Sequence, residues 1–518
     1  MTGRSRPKRA YRPAARGLPL FALLALLLPV GLEAQNGQWD PQQILDAKTY
    51  VAPQQEIAEA VLAPRYLNAT LSDMSADRKW FVHEIGDGPV PMTRFSKPFD
   101  ELGGMFLDFA ANRDRSLTIR SNAALEVISA EDGRTVSIRL PDGARVSDAT
   151  WSPEGEQLAF FVHTPTATHI WVADPETGRA RQITRSPVLA TAVTSFEWTA
   201  DGSEIVTVLP PDGRAARPLP PAVPQGPQRK ETEKGDNILR TYASLMKTPY
   251  DEQLLEWHVT GQLAFINVQS RRVQKVGEPT MIWAFDAAPD GKYVEVTELL
   301  KPFSYIVPVS SFGKKEVIWD RSGQVLATVQ DTPMNTGLGD RRPTAPGVGG
   351  NDNDTGKRQV AWRDDNRGLT FLEQEPAPDS ASEAQPAGEG QQRARRKDRV
   401  MLWAPPFDSA SLSVVYENDN RITMHNYAPD YGWLFLSERQ GENTHEFAVD
   451  LADPGTKHTL ARYGNDDFYA NPGTLVPTGG GVPATGRSYY RRGPSGGGTV
   501  QLSADGGSVF YYGTAYDR

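Results

Sequence analysis

At 518 residues, with 39% hydrophobic and 23% charged residues and a net charge of −9, the chain is too long for one compact core and must be several domains or a repeat array. It has no cysteine, which excludes disulfides, thiolate metal sites, a cysteine nucleophile and a lipid-modified cysteine. The acidic balance argues against binding phosphate backbones, so no nucleic-acid partner is expected.

In chain order, the basic residues Arg4, Arg6, Lys8, Arg9, Arg12 and Arg16 precede an apolar run from Leu18 to Val30, broken by Pro29 and Gly31. The run is roughly 13 residues, short of the ~20 that span a bilayer, so residues 1–34 read as a cleaved secretory signal with the cut between Ala34 and Gln35. A transit peptide is the second reading of this Arg-rich stretch, but a Leu-rich centre is not amphipathic. The chain is therefore expected to be exported, periplasmic or secreted, and free of the membrane after cleavage. Losing six Lys/Arg and one acid (Glu33) moves the net charge from −9 to about −14. Residues 35–66 form a lead-in with helix-like spacing, as in Gln54 to Leu62.

From about Leu67 one phrase recurs: a small or polar residue, Pro/Ala, Asp/Glu, Gly, then a strand of alternating apolar residues. Its clear copies are Trp151 to Phe160, Trp198 to Thr207 and Phe285 to Val294. Weaker ones are Ser75 to Val82, Asp320 to Val329, Trp362 to Leu372, Tyr427 to Leu436 and Ser503 to Tyr511. Asp-Gly suits a two-residue hairpin turn with positive φ at both residues. A second hairpin follows at His169 to Thr184 around Asp174-Pro-Glu-Thr-Gly178, with a degenerate version at His445 to Leu460. Such repeats predict an all-β fold, a β-propeller of about seven four-stranded blades over residues 67–518, behind the short helical lead-in. The phrase resembles that of TolB-like and peptidase propellers. Disordered loop insertions are expected near 210–230, 334–357 and 373–399. The basic run Arg393, Arg395, Arg396 and Lys397 in the last is expected to be a solvated loop. Trp151, Trp198, Trp283, Trp319 and Trp362 fall near equivalent points and are expected to pack blade on blade.

Few motifs carry chemistry. Gly493-Pro-Ser495-Gly-Gly497 matches Gly-x-Ser-x-Gly, but no apolar strand precedes it, no helix follows, and no His comes after His458. It reads as a Gly-rich loop. His83-Glu84 has Asp87 where a second zinc ligand would be needed and lies on a strand. Asn351-Asp-Asn-Asp-Thr-Gly356 has a calcium-loop composition, yet Gly occupies a ligand position and Arg363 stands where the closing Glu belongs. The seven His are scattered singly, at surface or strand positions, and the pairs Asp364-Asp365 and Asp466-Asp467 suit capped turns. No catalytic, cofactor-binding or metal residue is assigned, and the substrate-binding residues stay open.

Leu245 to Leu263 and Lys301 to Trp319, supported by Trp151 to Phe160, Ile170 to Ala180 and Asp467 to Gly473, resemble the glutamyl endopeptidases of the prolyl oligopeptidase (S9) family of serine peptidases, from about Gln38 to the C-terminus. The resemblance implies an N-terminal propeller that gates peptide access to an α/β-hydrolase domain with a Ser-Asp-His triad, in an enzyme that cleaves after glutamate. No position here matches those catalytic residues, so the chain alone is expected to be inactive and the hydrolase domain to lie beyond it. Peptide substrate would be its partner through that domain. The rival reading is a stand-alone periplasmic TolB-like propeller that binds a protein or ligand without catalysis. Against it, strand Ser508 to Tyr512 is followed by no closing partner. The face that packs on the hydrolase would leave an apolar patch prone to self-association.

Overall fold

A computed structural model describes residues 54–62, 73–86, 88–223, 242–336, 356–375, 396–478 and 496–513. Contacts divide the chain into residues 1–58 and 59–518. The first unit is described only at its end, where helix α1 (Gln55–Leu62) starts with Glu56 in its first turn. The signal segment, its cleavage point and the rest of the lead-in lie outside the described residues.

The second unit is built on one turn used seven times. Ser75, Ser152, Thr199, Ala288, Arg363, Ala428 and Ser503 each donate their backbone N–H to the carbonyl five residues on, at 2.8 to 3.0 Å. Each also accepts at its own carbonyl the N–H three residues on. That third residue has positive φ in every copy, from 57° at Tyr431 to 79° at Gly155. An acid stands one place before it. Asp77, Asp201, Asp290, Asp365, Asp430 and Asp505 use Oδ1 to accept the N–H two residues further along. The expected two-residue hairpin is thus corrected to a four-residue loop with a single positive φ, because the carboxylate caps the turn while keeping ordinary backbone angles.

Each turn joins the first two strands of a blade. Blade 1 holds the bridge of Met74 to Phe81, then β1 (Trp80–Ile85), β5 (Ala124–Ser129) and β6 (Thr135–Ser137). Blade 2 is the four-stranded sheet β7 (Arg145–Trp151), β8 (Leu158–His163), β9 (Thr168–Ala173) and β10 (Ala180–Gln182). A seven-stranded sheet forms blades 3 and 4, running β11 (Glu197–Trp198), β12 (Glu204–Leu209), β13 (Thr260–Asn267), β14 (Val273–Ala287), β15 (Tyr293–Leu299), β16 (Lys314–Asp320) and β17 (Val325–Thr332). The long strand β14 is the outer strand of blade 3 and then the inner strand of blade 4. Blade 5 is β18 (Arg358–Trp362), β19 (Leu369–Gln374), β20 (Asp398–Trp403) and β21 (Leu412–Asn418). Blade 6 is β22 (Ile422–Tyr427), β23 (Trp433–Gln440), β24 (Asn443–Asp450) and β25 (His458–Gly464). Blade 7 is described in part, by β26 (Thr474–Leu475), β27 (Tyr511–Tyr512) and the bridges Pro477 to Val500 and Leu502 to Val509. The fold is the expected all-β propeller.

The second strands are mostly apolar because both their faces are largely buried. On β8, Leu158, Phe160 and Val162 pack with Trp80, Val82 and Leu125 of blade 1. The alternate residues Ala159 and Phe161 pack with Phe196, Ile205 and Ile266 of blade 3. Period-two alternation sends successive side chains to opposite neighbours, so one strand serves two cores. Three tryptophans add a directional tie. Trp151 Nε1 donates to the Asp73 carbonyl, Trp198 Nε1 to that of Thr150, and Trp362 Nε1 to that of Asp286, each reaching the preceding blade. Trp283 and Trp319 do not share this position. Trp319 sits on the third strand of blade 4 against Gly277, and Trp283 packs on the insertions described below. The phrase at Asp320 is likewise an outer hairpin, between β16 and β17, which brings eight sequence copies to seven.

The seven turns meet along one side. The Ala200 N–H donates to the Pro289 carbonyl, the Asp290 N–H to Asn366 Oδ1, and the Asp364 N–H to the Tyr431 hydroxyl. Arg78 Nη2 reaches Gln501 Oε1 at 3.4 Å, bringing the last turn beside the first. At Gly155 a Cβ would lie 2.8 Å from the Asp77 backbone nitrogen, so glycine there serves both its positive φ and the neighbouring turn. Connections between second and third strands must emerge on the opposite side. Such connections are long in four blades: 86–123 in blade 1, 210–259 in blade 3, 300–313 in blade 4, and the expected 373–399 insertion between β19 and β20 in blade 5. Residues 210–223 carry no helix or strand and are tied to the insertions through Arg214 and Arg217. The interiors of the 334–357 and 373–399 segments, with Arg393 and Arg395, lie outside the described residues.

Candidate functional site

Three of those insertions converge into one module. The first carries α2 (Met92–Phe95), the small sheet β2 (Asp100–Leu102), β3 (Met105–Asp108) and β4 (Arg113–Asp114), and α3 (Arg115–Arg120). The second carries α4 (Pro249–Val259), whose start is fixed by a reciprocal capping box between Thr248 and Asp251 with Pro249 in the first turn. Its buried residues Leu254, Leu255 and Val259 pack against Leu102 and Leu107 of the first insertion and Val307, Val309 and Phe312 of the third. Backbone bonds lock the three together: the Val309 N–H donates to the Gly103 carbonyl and the Gly104 N–H to that of Ser244.

Charge is threaded through this apolar frame. Asp100 accepts Arg217 Nη2 at 2.5 Å and Nε at 3.2 Å, and the Nε2–H of buried His258 at 2.8 Å. Burial raises the Asp100 carboxyl, but these bonds outweigh it and hold the group below its ordinary value. Burial also pushes His258 down, against the pull of Asp100, so it stays neutral. Nearby, Asp108 takes Lys97 Nζ at 2.5 Å and the Thr118 hydroxyl at 2.7 Å, with Arg113 Nη2 at 3.7 Å. Lys97 and Arg113 reach the carbonyls of Pro165 and Ala167, pinning the module to blade 2. Arg214 lies over the Trp257 ring at 3.6 Å and donates to Asn112 Oδ1 and the Trp257 carbonyl.

The outer surface of the module is apolar, with Met92 71%, Phe95 48% and Ile306 44% exposed. Exposed apolar side chains gathered on one module mark an interaction surface. Two buried hydroxyl–imidazole pairs lie elsewhere and are poor bases. Ser147 Oγ is 2.8 Å from His163 Nε2, with Thr168 on the other ring nitrogen, and burial drives His163 well below its ordinary value. His425 contacts Thr370 and Gln359, and burial lowers it to about 3.

Ser495 lies outside the described residues. Gly496 and Gly497 after it press on Gln359, His425 and Thr370, where a Cβ would approach to 2.2 Å and 2.8 Å. His83 is on β1 opposite Glu126, its Nδ1 3.5 Å from that carboxylate; Asp87 and residues 351–355 are outside the description. Arg363 stands in the blade 5 turn, paired with Asp365 at 2.6 Å. Among the described residues no three His, Asp or Glu are placed to share a metal ion. The expectation of surface or strand histidines is corrected for His258, which is helical and buried. His163, His425 and His445 are on strands as expected, and buried. Asp467 caps Tyr469 and Ala470, as a turn acid.

Helix α4 and the module around it were not anticipated within an all-β reading. The signal was present in Thr248-Pro249-Tyr-Asp251, a capping box with proline at its start.

No protein-family model matches the chain. It is 27% identical over 443 residues to a probable chloroplastic glutamyl endopeptidase of Oryza sativa subsp. japonica, across 82% of this chain and 45% of that protein. A protein of the same description from Arabidopsis thaliana is 25% identical over 402 residues, 74% of this chain and 40% of the relative. The chain thus spans less than half the length of the curated relatives it matches. Solved structures similar to it include the Pyrococcus horikoshii acylaminoacyl peptidase (13% identity, TM-score 0.35, 76% of this chain and 45% of that one). TolB from Acinetobacter baumannii is another (10% identity, TM-score 0.27, 65% and 61%). The architecture rests on the seven turns and the sheets they join. No described helix is long and apolar enough to cross a membrane.

Proposed function

From a chain that is glutamyl endopeptidase-like and corresponds to the propeller portion of an S9 peptidase, we propose that it is the substrate-gating part of an exported serine endopeptidase that cleaves after glutamate. The observation that carries this is the likeness to glutamyl endopeptidases over 82% of this chain but 45% of the relative. The catalytic serine, acid and histidine would come from an α/β-hydrolase domain outside this chain, packed over the module. The 1–34 segment would be the export signal, removed before Gln35.

The module supports the reading physically. Insertions from three blades meet on the side opposite the turns, present exposed Met92, Phe95 and Ile306, and carry a fixed set of cations. A surface of that kind is unusual for a protein with no partner. The test is covalent labelling with a fluorophosphonate. The 518-residue chain should take no label, and the protein extended to the length of its relatives should take one equivalent. Label on the short chain, at Ser495 or elsewhere, rejects the division of labour. An extended protein that binds peptide without labelling favours the non-catalytic propeller instead.

A further inference from the structure

We propose that Arg214 is a carboxylate receptor: its guanidinium, clamped on Trp257 within the insertion module, holds an acidic side chain of a peptide crossing this face. The proposal rests on the reading of the chain as part of a peptidase that handles acidic peptides.

Arg214 belongs, with Arg115, Arg181 and Arg396, to the half-buried arginines whose described acceptors are all neutral. Arg113, Arg217, Arg321, Arg358 and Arg363 each have a carboxylate oxygen within 3.7 Å. Arg214 has two neutral acceptors, Asn112 Oδ1 at 2.7 Å and the Trp257 carbonyl at 2.6 Å. Its Nε–H is buried and has no acceptor at all. Asp100, in the same module, is already engaged by Arg217 and His258. Burial alone, opposed by no acid, lowers the guanidinium to about 10. A partly desolvated cation without a counterion is costly to keep, and a carboxylate is the group that offsets it best, through paired N–H donors.

The cation is also pre-positioned. It lies on the indole face at 3.6 Å, and the same indole donates its N–H to the Ala215 carbonyl at 2.8 Å. Trp257 thereby fixes both the guanidinium and the loop bearing it, so little rotamer freedom remains to be lost on binding. A residue that merely tied residues 210–217 to α4 would need no charge, since its partners are carbonyl oxygens.

The test uses the full chain and two fluorescein-labelled peptides identical except for one Glu or Gln, read by fluorescence anisotropy. The Glu peptide should bind about tenfold more tightly at low salt, with the preference shrinking as salt rises. Arg214→Gln should abolish the preference while leaving the Gln peptide unchanged, and Arg214→Lys should retain part of it. The wild-type comparison and its salt dependence stand even if a variant fails to fold. Equal binding of both peptides by the wild type, or a preference that survives Arg214→Gln, overturns the role of Arg214 and leaves the peptidase reading intact. Binding of neither peptide overturns both.

Discussion

The indole Nε1 of Trp198 donates to the Thr150 carbonyl oxygen at 3.2 Å, so a side chain of blade 3 is bonded to the inner strand of blade 2 just before its turn. Trp151 and Trp362 repeat the contact with Asp73 and Asp286. Trp198→Phe keeps most of the ring and loses the bond, and should cost about 1 kcal/mol in urea unfolding. Trp319 is buried with an indole nitrogen that has no acceptor, so Trp319→Phe should cost less. A larger loss at Trp319 would show that ring volume, and not the inter-blade bond, dominates.

The turn acids predict a second contrast. Asp201 accepts the Thr199 hydroxyl at 2.7 Å and the Ser203 N–H at 3.0 Å. Asp201→Ala should destabilise by about 1 kcal/mol, as loss of a cap does elsewhere. Glu154, whose longer side chain accepts no such bond in the equivalent turn, should tolerate alanine with no shift in the unfolding midpoint.

Glu438 predicts a pH dependence. It is fully buried, accepts Asn418 at 2.7 Å, His445 at 2.9 Å and Lys457 at 3.0 Å, and joins blade 5 to blade 6. Burial raises its carboxyl, but those donors outweigh burial and bring it down to about 2. A depressed carboxyl stabilises the folded state fully above its unfolded value of about 4.5, and the contribution is lost as pH falls from there towards about 2. Glu438→Gln should cost about 3 kcal/mol at neutral pH and flatten stability across that acid range. Unfolding midpoints measured from pH 2 to 6 check both.

The apolar module predicts association. The 518-residue chain should form concentration-dependent dimers or larger species in light scattering, and Phe95→Ser with Ile306→Ser should reduce them. A clean monomer at high concentration would contradict an uncovered docking face.

How far the fold was legible follows from which features are local. The turn phrase is local: a small residue, an acid and a residue tolerant of positive φ. Arg78, Asn366 and Tyr431 stand where the clear copies have Gly, with φ of 61°, 60° and 57°, which explains why those copies looked weak. The phrase at Asp320 misled because an aspartate can cap an outer hairpin too, as Oδ1 of Asp320 does for Ser322 and Gln324. The module was not legible as a site. Asp100 and His258 are 158 residues apart and meet only because insertions from different blades emerge on the same side. Arg214 gives no motif either, since what marks it is a missing acid that only the fold reveals.

Whether this propeller serves a peptidase selective for glutamate is read in kcat/KM of the protein extended to the length of its relatives, on peptides with Glu, Gln, Pro or Ala before the cleaved bond. Glu should be preferred over Gln by at least about tenfold, or roughly 1.4 kcal/mol of transition-state discrimination. Equal rates for Glu and Gln would contradict the glutamyl assignment, and no cleavage of any of the four peptides would contradict the peptidase assignment itself.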